Sequence, residues 1–195
     1  MLDLQQLINN FMNYIKNNGT DIYNEFSFQH ELGIFLRYQL AGKGYKVQFE
    51  RNVRFFVPAV SKTATVKHEI DISIFNQNLS EKYAIELKYP TNKQYPEQMY
   101  AFIKDIKFAE ELKTLGFTST CVLTLADDPL FYTNGNSSGI YQFFRNQKQI
   151  SGTVHKPTGQ DKDSSVTLSG RYIVNWTALP VPQYRDRKYY CIVLR

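Results

Sequence analysis

Two neighbouring stretches in which apolar and polar residues alternate constrain the fold of this chain more than any other feature. They are residues 67–76 (KHEIDISIFN) and residues 81–90, which end in YAIELKYP. An alternation of period two predicts a β-strand with one apolar face, and the short loop QNLS between the stretches fits a turn. We therefore expect a β-hairpin. Its apolar face would carry Ile70, Ile72 and Ile74 from the first strand and Ile85, Leu87 and Tyr89 from the second.

The rest of the chain predicts helices and further strands around this hairpin. Apolar residues at helical spacing, followed by glycine, indicate helices, and apolar runs that end at proline or polar residues indicate strands. The predicted order after the first helix is helix, three strands, helix and strand, which indicates an α/β fold. The predicted helices are near 4–18, 24–41 and 96–115, with a short one near 140–146, and the further strands are near 45–57, 118–126, 166–176 and 188–194.

The length and composition indicate one globular domain. The chain has 195 residues, of which 43% are hydrophobic and 15% aromatic, so it can bury a substantial core. We expect a single domain over residues 1–195, with an N-terminal helix in 1–20, a core in 21–126, and C-terminal loops and a β-hairpin in 127–195. A C-terminal segment of this kind suggests no function by itself.

The net charge and the cysteine content limit the kinds of binding partner and of cellular environment that we expect. The net charge of +5 slightly favours a polyanionic partner such as nucleic acid. Cys121 and Cys191 are too few for a disulfide framework and lack the spacing of a zinc knuckle. Neither a signal peptide nor a membrane-spanning stretch is recognisable, so we expect a cytoplasmic protein with no membrane partner.

An acid followed two residues later by lysine stands on the second strand of the hairpin, as Glu86 and Lys88. The pattern is common, but residues two apart converge on one face only in a strand, which separates this pair from two others on the long helix. The other occurrences are Asp105/Lys107, Glu111/Lys113 and Asp186/Lys188. The simplest interpretation of Glu86 and Lys88 is an ion pair on a solvent-exposed face, with Glu69 as another partner for Lys88.

Asp71 supports a different interpretation of this face, a metal-dependent active site. In the predicted hairpin Asp71 lies opposite Glu86 on the same face, where two carboxylates would repel each other. A divalent cation between them would remove the repulsion, and oxygen ligands without histidine or cysteine suit Mg²⁺ or Mn²⁺. Lys88 could then position or activate a water and stabilise charge on a phosphate. Glu69 shares the face of Asp71 and is a rival ligand.

The arrangement Ile70-Asp71 followed by Glu86-Leu87-Lys88 resembles the signature of the PD-(D/E)XK, or restriction-endonuclease-like, nucleases. The predicted element order is also similar to the αβββαβ core of that family, with a central mixed sheet flanked by helices. The resemblance covers roughly residues 24–126. Two departures are that isoleucine, and not proline, precedes Asp71, and that Gln98 is followed four residues later by phenylalanine where some branches have tyrosine.

The resemblance implies hydrolysis of phosphodiester bonds in DNA with Mg²⁺ or Mn²⁺ as cofactor. Asp71, Glu86 and the Leu87 carbonyl would hold the metal, and Lys88 would serve the attacking water. Many members have a further glutamate on the first core helix, and Glu31 is similarly placed. Gln98 would be an additional contact.

The sub-class that the resemblance favours is a type II restriction or defence endonuclease. Such an enzyme would suit a homodimer, because two-fold symmetry matches duplex DNA, and a separate methyltransferase partner would protect the host. Two alternatives stay open: a non-catalytic nucleic-acid-binding or scaffolding module with the same fold, and a DNA repair or structure-specific nuclease. Further candidate DNA contacts are Arg185, Arg187 and Lys188 near the C-terminus. Candidates to read bases lie in a polar loop that is more simply a turn: Asn134, Asn136, Ser137 and Ser138.

Overall fold

The computed structural model describes residues 1–61, 63–133, 135 and 137–195, so the candidate base-reading residues Asn134 and Asn136 lie outside it. The described residues form a mixed α/β structure around a six-stranded sheet, and none of their helices is long and apolar enough to cross a membrane. The helices are α1 (Leu4–Asn18), α2 (Glu25–Gln39), α3 (Tyr95–Thr114) and α4 (Tyr141–Arg145), and the strands are β1 (Tyr45–Asn52), β2 (Glu69–Asn76), β3 (Lys82–Lys88), β4 (Ser119–Ala126), β5 (Ile150–His155), β6 (Ser165–Tyr172), β7 (Thr177–Ala178) and β8 (Lys188–Leu194).

The central sheet is mixed, with the strand order β1-β2-β3-β4-β8-β7. Strands β1, β2 and β3 are antiparallel neighbours, β3 and β4 are parallel, and β8 is antiparallel to β4. Helix α3 makes the connection between the two parallel strands, which a hairpin turn cannot make. The predicted order of helix, three strands, helix and strand is confirmed, and so is the hairpin, in which Ile72 lies opposite Ile85.

Both faces of the sheet are covered. Helices α1 and α2 pack on one face, and α3 packs on the other, where Val122 of β4 meets Ile103 and Ile106. The face of β3 that the alternation marks as polar therefore lies under a helix and not in solvent. The residues of the hairpin and of β4 that face α1 and α2 are Ile72, Ile74, Tyr83, Ile85, Leu87, Cys121, Leu123 and Leu125.

Ile70 departs from the predicted alternation. Ile72 and Ile74 pack under α1 and α2 as expected, but Ile70 belongs to the cluster around Phe75 on the other side of the sheet. The change occurs where β1 and β2 lose their regular pairing, because Glu50, opposite Asp71 in the register, has a φ of 48°. A residue in this left-handed conformation interrupts a strand, and the periodic pattern does not continue through it.

The C-terminal segment contributes to two different sheets. Strand β8 joins the central sheet beside β4, whereas β6 pairs with β5 in a separate two-stranded sheet over α3. The Glu110 carboxylate of α3 holds this small sheet by accepting hydrogen bonds from the Ser169 and Gly170 amides. Strand β5 was not predicted, because a register shift at Gly152 breaks the alternation and leaves mostly polar residues exposed.

Gly33 of α2 gives a test of how tightly this helix packs on the sheet. A Cβ atom at this position would lie 2.1 Å from Cζ of Phe49 in β1. We expect Gly33→Ala to lower the free energy of unfolding by about 1–3 kcal/mol through overpacking. In a Phe49→Ala background, the same substitution should be neutral or stabilise by up to about 1 kcal/mol, because alanine is the better helix former. Chemical denaturation measures both values, and an equal loss in the two backgrounds would contradict the proposed contact.

Candidate functional site

Asp71 and Glu86 lie side by side where β2 and β3 separate. The regular pairing ends at Ile72 and Ile85, and the next residues in the same register are Asp71 and Glu86. Here Oδ2 of Asp71 accepts a hydrogen bond from the Leu87 amide at 2.7 Å, and the Asp71 amide lies 3.4 Å from Oε1 of Glu86. The Leu87 and Asp71 amides thus donate to carboxylate oxygens and not to backbone carbonyls of the neighbouring strand, and the two carboxylates are neighbours.

Gln29 of helix α2 binds the residues of β1 and β2 at the point where the pairing of these two strands is interrupted. Its side-chain amide donates to the Asp71 carbonyl at 2.8 Å and to Oε1 of Glu50 at 2.5 Å. The interrupted ladder between β1 and β2 would otherwise leave this carbonyl without a partner. Gln29 therefore holds both residues at the irregular position.

Glu86 is buried beneath α3 and is paired with a lysine. Its side chain is 1% exposed, and Nζ of Lys67, which precedes β2, contacts its Oε2. The same ammonium lies 3.0 Å from Oδ1 of Asp105 on α3, whose side chain is 2% exposed. Because Glu86 is buried, the simple interpretation of an ion pair on a solvent-exposed face does not apply.

Lys88 faces the same region from the end of β3. Its ammonium lies 3.1 Å from Oε1 of Glu25 in the first turn of α2, 2.9 Å from the Leu87 carbonyl oxygen and 3.8 Å from Oδ2 of Asp105. The other Glu25 oxygen accepts a hydrogen bond from the Tyr89 amide at 3.0 Å. Helices α2 and α3 and the end of the hairpin therefore meet around Lys88.

The acidic groups outnumber the basic ones at this position. Four carboxylates (Glu25, Asp71, Glu86 and Asp105) surround the two ammonium groups of Lys67 and Lys88.

Burial makes the excess negative charge unfavourable. It raises the pKa of Asp71 from its ordinary 3.8 to about 6, although the two lysines act in the opposite direction. Burial, together with the neighbouring charge of Asp71, raises the pKa of Glu86 well above its ordinary value. Burial alone would lower the pKa of Lys88, but Asp105 and Glu25 raise it, so this side chain is an ammonium at neutral pH.

The donor set suits a hard divalent cation. Within the part of the chain that the structure describes, no three acidic, histidine or cysteine side chains form a group that could hold a metal by themselves. Magnesium, however, is usually bound by one or two carboxylates together with substrate phosphate and water. Asp71 and Glu86 with the Leu87 carbonyl match that smaller set. Among the described residues Oδ2 of Asp105 is buried without a hydrogen-bond partner, which also marks a place for positive charge.

The remaining predicted site residues lie apart from these carboxylates. Glu31 is six residues after Glu25 on α2, which turns it to another face, where it lines a hollow with Tyr14 and Tyr38. The helix glutamate that does reach the site is Glu25. Gln98 donates to Asn92 at 3.0 Å and lies about two helical turns before Asp105 on α3.

Glu69 is the last of the predicted ligands. It is exposed at the start of β2 and makes no ion pair among the described residues, and Lys88 pairs with Glu25 instead. The rival interpretation of Glu69 as the cross-strand partner of Lys88 is therefore wrong.

Sequence patterns did not identify Lys67, Asp105 and Glu25 as members of the site. Asp105 stands in the acid-x-lysine pattern of the long helix, and the helical geometry that rules out its pairing with Lys107 does not rule out a role for Asp105 alone. One signal was present, because Asp105 lies three residues after Phe102 and four before Ala109, at the edge of the apolar stripe of α3. A charged residue within an apolar stripe needs a buried partner.

The proposed DNA contact at Arg187 is also corrected. Its side chain is buried, with Nε 2.6 Å from Oδ1 of Asp127 and a terminal nitrogen 2.6 Å from the Ile22 carbonyl oxygen. Its guanidinium also stacks on the Tyr184 ring at 3.8 Å. Arg187 thus connects the C-terminal segment to the core and is not available to bind phosphate.

Comparison with known proteins adds no identification. No family model, curated protein sequence or solved structure matches this chain. A function can therefore be argued only from the geometry and charge of the site.

Proposed function

We propose that this protein is a divalent-metal-dependent nuclease that hydrolyses phosphodiester bonds in DNA. The observation that carries the proposal is the meeting of Asp71, Glu86 and Lys88 at the end of one hairpin, with more negative than positive charge among buried groups. An acidic site of this kind would not attract a polyanion by itself. A divalent cation would balance the charge and bind phosphate.

Each group has a role in this proposal. Asp71, Glu86 and the Leu87 carbonyl would hold Mg²⁺ or Mn²⁺, which when bound supplies positive charge at the phosphate and makes water a better nucleophile. Lys88 would stabilise the negative charge that develops on the phosphate, because its raised pKa keeps it an ammonium and not a base. Glu25 and Asp105 would position Lys88.

The order and pairing of the helices and strands support the proposal. The order α2, β1, β2, β3, α3 and β4, the parallel pairing of β3 with β4, and the acids on β2 and β3 are what that resemblance implies. Within this class we favour a type II restriction or defence endonuclease that acts as a homodimer beside a separate methyltransferase. A DNA repair or structure-specific nuclease would use the same groups.

The proposal is tested by incubating supercoiled plasmid with the protein and Mg²⁺ or Mn²⁺, with EDTA as the control. We expect cleavage with metal and none with EDTA or with the Glu86→Gln variant. Fragments with fixed ends would favour a sequence-specific enzyme. Preferential cleavage of branched or single-stranded substrates, tested in parallel, would favour the repair class.

One observation favours a non-catalytic DNA-binding or scaffolding module. The ammonium of Lys67 already pairs with Glu86 and Asp105, as in a protein whose acids serve only the fold. DNA binding without cleavage under every metal tested would support this second function and reject the first.

A further inference from the structure

A metal site formed by Asp71, Glu86 and the Leu87 carbonyl does not explain why Lys67 pairs with Glu86. The Lys67 ammonium occupies the space between Glu86 of the sheet and Asp105 of the helix packed on it, two side chains that are almost fully buried. The Lys67 side chain itself is 25% exposed and enters from the segment that precedes β2. Its ammonium also lies over the Phe108 ring, with Nζ 5.6 Å from the ring centre.

Asp105 has capacity for a further interaction. Its Oδ1 accepts from Lys67 at 3.0 Å, but Oδ2 is buried without a hydrogen-bond partner among the described residues, and the ammonium of Lys88 is 3.8 Å away. A buried carboxylate oxygen without a hydrogen bond is unfavourable. Asp105 can therefore accept more from Lys67 than it does in this arrangement.

We propose that Lys67 is an internal counterion that neutralises Glu86 before a divalent cation binds and then remains on Asp105. The inference rests on the proposed function, since it concerns the same carboxylate. Lys67 contacts the Oε2 atom of Glu86, and an ammonium and a metal ion would repel each other at one carboxylate. Lys67 would move from Glu86 towards Oδ2 of Asp105, which has no hydrogen-bond partner among the described residues, and a flexible four-carbon stem allows this without a change in the backbone.

This role makes Lys67 a competitor of the metal and a positioning residue, and not a catalytic one. Without Lys67, the excess negative charge around Asp71, Glu86 and Asp105 increases, so the attraction for a divalent cation increases as well. Without the charge of Asp105, Lys67 has only Glu86 as a partner and should compete more strongly. The two substitutions therefore change metal affinity in opposite directions.

The experiment is a calorimetric titration with Mn²⁺ at pH 8, in the absence of DNA, of the wild type and the Lys67→Met variant. We expect the dissociation constant of the variant to be lower by about tenfold, as for the removal of an interaction of ordinary strength. Lys104→Met is the matched control, because Lys104 precedes Asp105 on α3 but makes no ion pair among the described residues. Its dissociation constant should change by less than about twofold, since a charge that makes no ion pair with the site acts only at a distance and is weakened by salt.

Asp105→Asn provides the second variant if Lys67→Met does not fold. It should weaken Mn²⁺ binding, and in a double-mutant cycle the effect should be smaller when Lys67 is methionine. Equal effects of Asp105→Asn in both backgrounds would mean that Asp105 acts only through its own charge, and would overturn the inference.

The outcomes separate this inference from the proposed function. If the wild type cleaves DNA and binds Mn²⁺, but Lys67→Met binds no more tightly, the inference is overturned and the nuclease stands. If both proteins bind Mn²⁺, Lys67→Met binds it more tightly and the wild type does not cleave, the inference holds and the nuclease is rejected. If neither protein binds Mn²⁺, no metal competes with Lys67 and the inference is overturned, while the plasmid assay decides the function separately.

Discussion

Lys88→Ala is expected to reduce the rate of DNA cleavage by about 10²–10³-fold, the usual loss when one group that stabilises transition-state charge is removed. The fold should survive, because Asp105 keeps its contact with Lys67, and the partner Glu25 is 45% exposed and can be hydrated. Single-turnover cleavage with saturating Mg²⁺ measures the rate, and circular dichroism measures the fold.

Lys82→Ala is the matched control for this experiment. Lys82 begins the same strand on the same face as Lys88, six residues away, and its ammonium lies 5.5 Å from the centre of the Phe117 ring. We expect this variant to cleave at nearly the wild-type rate. Wild-type cleavage by a folded Lys88→Ala variant would reject the role of Lys88, and equal losses in both variants would show only a general effect of charge.

Asp71→Asn is expected to abolish cleavage and at the same time to stabilise the metal-free protein at neutral pH. The asparagine side-chain oxygen can still accept from the Leu87 amide, which the Asp71 carboxylate binds at 2.7 Å. The substitution also removes the negative charge of Asp71, which burial disfavours. A pKa raised from 3.8 to about 6 corresponds to a gain of up to about 3 kcal/mol in the free energy of unfolding at pH 7.

The pH dependence of this gain has a definite sign. Because the pKa of Asp71 is higher in the folded protein than its ordinary value, its contribution to wild-type stability is complete below about pH 4 and is lost as the pH rises through about 6. The asparagine variant does not titrate there. The difference between the two proteins should therefore be near zero at pH 4, increase between pH 4 and 6, and stay constant above that range.

Addition of Mg²⁺ should reduce the difference in stability between the two proteins. The wild type should gain thermal stability with increasing Mg²⁺, because a ligand that binds only the folded state stabilises it, and the variant should gain little. Thermal unfolding with and without Mg²⁺ at pH 7 measures both effects. A variant less stable than the wild type in EDTA at pH 7 would show that the Asp71 charge is not a cost to the fold.

The hairpin and its functional pair could be predicted because both depend on local geometry. In a strand, alternate residues share a face, so the sequence alone places Glu86 and Lys88 on one side of β3. A short loop leaves few registers for the next strand, and the one that pairs Ile72 with Ile85 also brings Asp71 beside Glu86.

The partners of these residues could not be predicted in the same way. Lys67, Asp105 and Glu25 come from three separate elements, and their contacts depend on how α2 and α3 pack on the two faces of the sheet. The resemblance assigns the role of helix glutamate to Glu31, whereas the structure brings Glu25 to Lys88. The sequence places Glu31 on the first core helix, but which face of α2 reaches the end of β3 is a property of the packed structure.

The sequence by itself therefore determined which strands form the hairpin and which charged residues share a face, since the strand period acts over a few residues. Only the tertiary structure decided that this face is buried under α3 and that Lys67 pairs with Glu86. The physical reason is that a buried charge must find its partner among groups that come close in space, whatever their distance along the chain.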